Sequence, residues 1–202
     1  MNRRFPRREI IIIEDVFDMK AGKNIKAKEI SSVQDDEHRY PCFGGNGIRG
    51  YVSTFNESGE FPIIGRQGAL CGNVHLATGN FYATEHAVVV KQRRKTVPMF
   101  AALYLSFLNL NQYATAVAQP GLAVSKIVKV PIKYIPFNEQ QEIVRLLDEI
   151  FEQEQQAQSA VESVLADIDT LKKSILARAF RGELGTNDPG EENAREMLKR
   201  VL

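Results

Sequence analysis

The chain has 202 residues, 44% of them hydrophobic and 25% charged, with a formal net charge of +1. That suits one medium globular domain plus an extended element, and no part has the composition of a disordered chain. No apolar run approaches the roughly 20 residues that cross a bilayer, and Glu9, Glu14 and Asp15 cut short the apolar Ile10–Ile13, which argues against a signal peptide.

Cys42 and Cys71 are the only cysteines and lack metal-type spacing, as expected of two inert thiols in a reducing cytoplasm. The small net charge hides an asymmetry. Residues 1–137 hold 18 Lys and Arg against 11 Asp and Glu, a net of +7, whereas residues 138–202 hold 8 against 14, a net of −6. A basic globular part on an acidic tail suggests that the first meets a polyanion and the second meets protein. Moderate basicity also occurs on domains that bind nothing charged, so charge alone leaves the question open.

Arg3, Arg4, Arg7 and Arg8 precede Ile10–Ile13, a short strand or a buried turn. The Gly-centred stretch Asp18–Lys26 carries Lys20, Lys23 and Lys26. These are either solvated loop charges or phosphate contacts, which need only flexible cations on a projecting loop.

Residues 40–52, Tyr-Pro-Cys-Phe-Gly-Gly-Asn-Gly-Ile-Arg-Gly-Tyr-Val, form the most unusual stretch, with four glycines in seven residues. Glycine permits positive φ and close backbone approach, so a tight hairpin explains Gly44, Gly45, Gly47 and Gly50. It does not explain Arg49; Asn46 and Arg49 both project from the stretch, and their side chains suit adenine and guanine edges. Pro41-Cys42 matches the nucleophile dipeptide of cytosine-5 methyltransferases, but no Gly-rich cofactor turn accompanies it, and Cys42 reads as structural.

The segments 61–64, 73–76 and 87–90 are predicted strands, with a turn at Ala77–Asn80. Between the first two lies Gly65-Arg66-Gln67-Gly68, which fits no nucleotide-binding glycine motif but offers Arg66 and Gln67 for base or groove contact. His75 and His86 lack a third metal ligand at usable spacing, and Glu85-His86 lacks a nucleophile beside it. Lys91-Gln92-Arg93-Arg94-Lys95 is the densest basic cluster. Arg93, Arg94 and Lys95 are candidate phosphate contacts, against the alternative of a solvated strand end.

Apolar spacing of three and four over 97–111 predicts a core helix, with Pro98 in its first turn. Alternation over 127–135 predicts a strand, and Pro131 confines it to an edge. Asn138 can cap the next helix. Along that helix, Ile143, Leu147, Ile150, Glu154, Ala157, Val161, Val164, Ile168, Leu171 and Ile175 follow steps of four and three without a slip. Such a heptad seam makes helices supercoil. At about 1.5 Å per residue the segment to Phe180 runs roughly 60 Å, and the chain has no second long helix to cover it. The seam therefore asks for a partner. Gly182 ends the helix, Gly185–Gly190 reads as a turn, and Ala194, Met197, Leu198 and Val201 lie on one face of a short terminal helix.

The order of six segments is distinctive: Tyr40–Tyr51, Ile64–Gly72, Tyr82–Ala87, Ala118–Lys126, Ile135–Val144 and Leu176–Leu184. Together they resemble the specificity subunit of type I restriction–modification systems. The departures are Cys42, where an aliphatic residue is common, and Glu154 in the seam. The resemblance implies an α+β chain: a mixed α/β target recognition domain (1–137), a long coiled-coil spacer helix (138–182) and a C-terminal tail with a short helix (183–202). Full-length members carry two recognition domains and two spacer helices that pair antiparallel, so this chain resembles a half subunit, or the second half of a longer one.

The same resemblance implies a noncatalytic reader of double-stranded DNA, acting as a homodimer on inverted half-sites. Its partners would be a methyltransferase (modification) subunit and a restriction (nuclease/translocase) subunit. S-adenosylmethionine, ATP and Mg are expected on those partners and no cofactor on this chain. Two other readings compete: a small DNA methyltransferase, which the missing cofactor motif disfavours, and a coiled-coil assembly protein that reads no DNA.

Overall fold

A computed structural model describes residues 9–115, 120–184 and 194–201. The chain divides into two compact units, Met1–Leu146 and Leu147–Leu202. The first is organised by a six-stranded sheet of β2 (Phe17–Ala21), β3 (Tyr40–Gly44), β4 (Gly47–Val52), β5 (Glu57–Gly65), β6 (Val74–Ala83) and β7 (Ala87–Gln92), in the order β2-β7-β5-β6-β3-β4. All neighbours are antiparallel except β3 and β6, which pair Cys42 with Tyr82 and Phe43 with Ala83 in parallel.

Strand β7 shows why the sheet has a core on each face. Its run Ala87-Val88-Val89-Val90 is wholly buried. Successive strand side chains point to opposite faces, so a continuous apolar run means that both are covered. Val88 and Val90 join Ile13, Phe17, Met19, Ile64, Leu105, Leu110 and Ile127 in one cluster, whereas Ala87 and Val89 join Phe43, Ile63, Ala77, Phe81 and Ala83 in another. Helix α2 (Pro98–Phe107) contributes Ala101 and Leu105 to the first cluster.

The stretch 10–16 is both strand and turn. β1 (Ile10–Ile12) is followed by the single helical turn α1 (Ile13–Val16), where the Ile12 amide donates to Asp15 Oδ2 at 2.9 Å. β1 pairs with β8 (Pro131–Lys133), a two-stranded sheet apart from the main one. The expected strand over 127–135 is therefore shorter than its alternation indicated. Val124–Ile127 forms a helical turn, α3, and the Val130 and Val128 carbonyls accept from the amides of Ile13 and Glu14. Those bonds satisfy the backbone outside a ladder and override the period-two pattern.

The turn expected at Ala77–Asn80 does not occur. Those residues lie inside β6, which pairs with β5 from Ile64↔Val74 to Glu57↔Phe81, with Gly59 facing Gly79. Long-range pairing outweighs the local turn preference. The expected helix over 97–111 stops at Phe107, and Leu110–Tyr113 continues as a 3₁₀ turn.

Helix α4 runs unbroken from Phe137 to Phe180. Its first turn carries one buried polar side chain, Gln140, at 2% exposure. The Val97 amide donates to Gln140 Oε1 at 2.9 Å, and Gln140 Nε2 donates to the Ile135 carbonyl at 2.8 Å. The amide thus joins the chain entering α2 to the chain entering α4. Gln140→Leu removes both bonds and strands two backbone groups, so about 2–4 kcal/mol of stability should be lost, read from chemical denaturation. From Ile150 onward the seam residues Ile150, Val161, Val164, Ile168, Leu171 and Ile175 are exposed. A short helix, α5, spans Ala194–Val201, with Leu198 exposed. Among the described residues no helix is long and apolar enough to cross a membrane. The Arg3–Arg8 group and the Gly185–Gly190 turn lie outside the described residues.

Candidate nucleic-acid interface

The glycine-rich stretch folds as the hairpin β3–β4 with Gly45-Asn46 at its tip. Gly47 follows with φ +85°, a conformation that side chains with a Cβ resist, and His75 packs against it. Farther down, Cys42 pairs with Gly50 and Phe43 with Ile48, which leaves Arg49 as an extra residue on β4. A bulge of this kind re-aims a side chain. Arg49 is exposed and its stem lies beside Gly44.

Backbone contacts gather three further loops around this hairpin. Gly65 lies so close to Gly45 that a Cβ would sit 1.9 Å from the Gly45 carbonyl oxygen, and one on Gly45 would sit 2.8 Å from the Gln67 oxygen. The Arg66 amide donates to the His86 carbonyl at 2.8 Å, and Asn73 Nδ2 donates to Asn46 Oδ1 at 3.3 Å. Thus Asn46, Arg66 and Gln67 are brought into one neighbourhood with Asn73, His75, Glu85 and His86. Asn46, Gln67 and Asn73 are exposed, and His86 Nε2 lies 3.1 Å from Glu85 Oε1. His75 Nε2, Glu85 Oε2 and His86 Nδ1 are buried with no hydrogen-bond partner among the described residues. In the sequence the histidines and Glu85 point only to metal or acid–base chemistry. Their signal was contact with the hairpin, which strand order creates and spacing does not reveal. Among the described residues no three His, Cys, Asp or Glu side chains are placed to hold a metal ion.

Arg66 is half-buried, and its Nε donates to the Leu122 carbonyl at 3.3 Å while the Leu122 amide donates to the Arg66 carbonyl. The Gly68 amide donates to the Pro120 carbonyl. Two segments that carried the resemblance, Gly-Arg-x-Gly and Pro-Gly-Leu, are therefore paired in space. Gln67, between these bonds, faces outward.

The predicted phosphate cations divide into two groups. Lys23 and Lys26 are exposed on a loop whose Lys23 amide donates to the Ala83 carbonyl, beside Thr84 and Glu85. Lys20 pairs with Asp18 at 2.8 Å, which holds the Asp18 carboxyl below its ordinary range. Arg93, Arg94 and Lys95 follow the opposite end of β7 from the Ala87 end that faces Gly65. Arg93 lies 3.5 Å from Asp18, Arg94 sits 5.3 Å over Tyr134, and Lys95 sits 4.2 Å over Phe137. All three remain exposed, but aromatic rings and a carboxylate already engage them.

Cys42 is fully buried, and burial pushes its thiol up to about 11, with Arg49 opposing and Glu85 adding to the shift. A buried thiol with a raised pKa is a poor nucleophile. Cys42 should therefore resist a thiol-alkylating reagent at pH 8 until the protein is unfolded, as followed by mass spectrometry. The folded state holds this proton more tightly than the unfolded chain, so the associated stability should be present below about pH 9 and lost as pH rises through about 11.

Residues 9–163 match the family described as "Type I restriction modification DNA specificity domain". The chain is 49% identical over 127 residues to the type I restriction enzyme EcoprrI specificity subunit of Escherichia coli, across 63% of this chain and 31% of that one. It is 32% identical over 158 residues to the EcoKI specificity subunit of Escherichia coli K12, across 71% and 33%. The chain thus spans about a third of the length of these curated relatives. The fold resembles the S subunit of a type I system from M. genitalium, with TM-score 0.64, 22% identity, and 75% and 41% of the two chains covered. It also resembles the HsdS subunit from Thermoanaerobacter tengcongensis, with TM-score 0.61, 19% identity, and 89% and 46% covered. The relatives are specificity subunits, which are not enzymes. The α+β chain described above belongs to the type I restriction–modification DNA specificity domain family.

Proposed function

We propose that this chain is the DNA-reading component of a type I restriction–modification complex, present as two copies that read inverted half-sites. One observation carries the reading. Three exposed side chains suited to base edges, Asn46, Arg49 and Gln67, stand on a glycine-rich hairpin and the loop packed against it, in the basic part of a chain from a DNA specificity family. Asn and Arg pair with adenine and guanine in the major groove, and rigid loops keep the reading geometry. Arg66 would hold the loop through Leu122, and Lys23 and Lys26 would hold phosphates at its border. Lys20, Arg93, Arg94 and Lys95 are the further phosphate candidates. Two domains joined by antiparallel helices would read a symmetric site with a fixed gap. Catalysis would belong to the methyltransferase and restriction subunits, with S-adenosylmethionine, ATP and Mg bound there.

The test is the affinity of the purified chain, with its methyltransferase partner, for duplex DNA as a function of salt. The logarithm of the binding constant should fall linearly with the logarithm of salt concentration. Alanines at Lys23 and Lys26 should shallow that slope by about one per lost contact, and alanines at 93–95 test the other group separately. A stable complex with the partner that binds no DNA would favour an assembly protein instead.

A further inference from the structure

Helix α4 carries more apolar surface than a two-stranded seam uses. Phe151 and Leu165, each one position past a seam residue, are 53% and 58% exposed. We infer that two copies of α4 pair antiparallel in one register: Ile143 against Ile175 of the second copy, Leu147 against Leu171, Ile150 against Ile168, Glu154 against Val164 and Ala157 against Val161. This inference rests on the proposed homodimer and adds its register.

Three observations lead to it. First, the seam from Ile143 to Ile175 is symmetric about Ser159, so this register alone gives every seam residue an opposite number. A slip of one heptad leaves either Leu171 and Ile175 or Ile143 and Leu147 uncovered. Second, the flanking positions that follow Ile150 and Val164 face their own kind across an antiparallel pair. Phe151 then lies about 3 Å along the axis from Leu165 of the second copy, within side-chain reach. The slipped registers set Phe151 against Gln158 or Lys172. Third, residues 137–158 carry six acidic and one basic side chain, while 159–180 carry three of each, including Lys172 and Lys173. A parallel pair would align the six acids with themselves, whereas the antiparallel pair sets them beside the lysines.

The test is sedimentation of the full chain and three variants. Phe151→Glu and Leu165→Lys should each weaken the dimer roughly tenfold or more, because each sets a charge against an apolar side chain twice per dimer. Phe151→Glu with Leu165→Lys in the same chain should restore it to within about threefold, since each Glu then meets a Lys of the second copy. The two positions are two heptads apart within one helix and cannot rescue each other there. A double variant as weak as the combined single variants, with a wild-type dimer intact, overturns the register and leaves the dimer. A monomeric wild-type chain overturns both. Glu154→Leu gives a second reading: it should tighten the dimer, and no change would contradict its place opposite Val164.

Discussion

Gly65→Ala should cost about 3 kcal/mol of stability and take DNA binding with it, as overpacking between two backbones does. The added Cβ would stand 1.9 Å from the Gly45 carbonyl oxygen, an atom of the main chain that no rotamer change can move aside. To make room, the Gly45-Asn46 tip must part from Gly65-Arg66-Gln67, and that contact brings two of the proposed readers together. Gly68→Ala is the matched control. Its φ of +91° is strained for alanine, but among the described residues nothing lies within 4 Å of the added atom. It should cost only about 1–2 kcal/mol and leave the loop contact intact. Thermal unfolding and DNA affinity measured on both variants separate a clash at the site from simple backbone strain.

Arg49→Ala should lower affinity for the selected DNA by about 1–3 kcal/mol and relax preference at one base pair, with stability changed by less than about 0.5 kcal/mol. The side chain is exposed and stands on a bulge that turns it out of the ladder. Arg49→Lys keeps the charge but loses the fork that meets guanine at two atoms, so it should fail to restore the preference. Binding to a panel of single-base variants of the site reads this directly. A uniform loss across the panel would make Arg49 a phosphate contact.

The legible parts of the chain were those fixed by local chemistry. The β3–β4 hairpin follows from its glycines, and the long helix follows from 44 residues without Gly or Pro and an unbroken heptad. The chain misled where a distant partner decided the outcome. Ala77–Asn80 looks like a turn until Gly79 is seen facing Gly59. The stretch 127–135 looks like one long strand, but Ile13 and Glu14 claim the carbonyls of Val130 and Val128 and only Pro131–Lys133 pairs as β8. The same limit applied to the site. Asn46, Arg49 and Gln67 stood out through their glycine neighbours, but nothing in spacing joins Asn46 to Asn73 or Gly47 to His75. The Arg93–Lys95 run showed the converse. It was the densest charge in the chain, yet Asp18, Tyr134 and Phe137 already engage its cations.

Selection from a randomised duplex library, by the chain with its methyltransferase partner at near-physiological salt, tests the central claim most directly. The account predicts an inverted repeat with a constant gap. No enriched sequence, from a complex that nonetheless holds together, would contradict it.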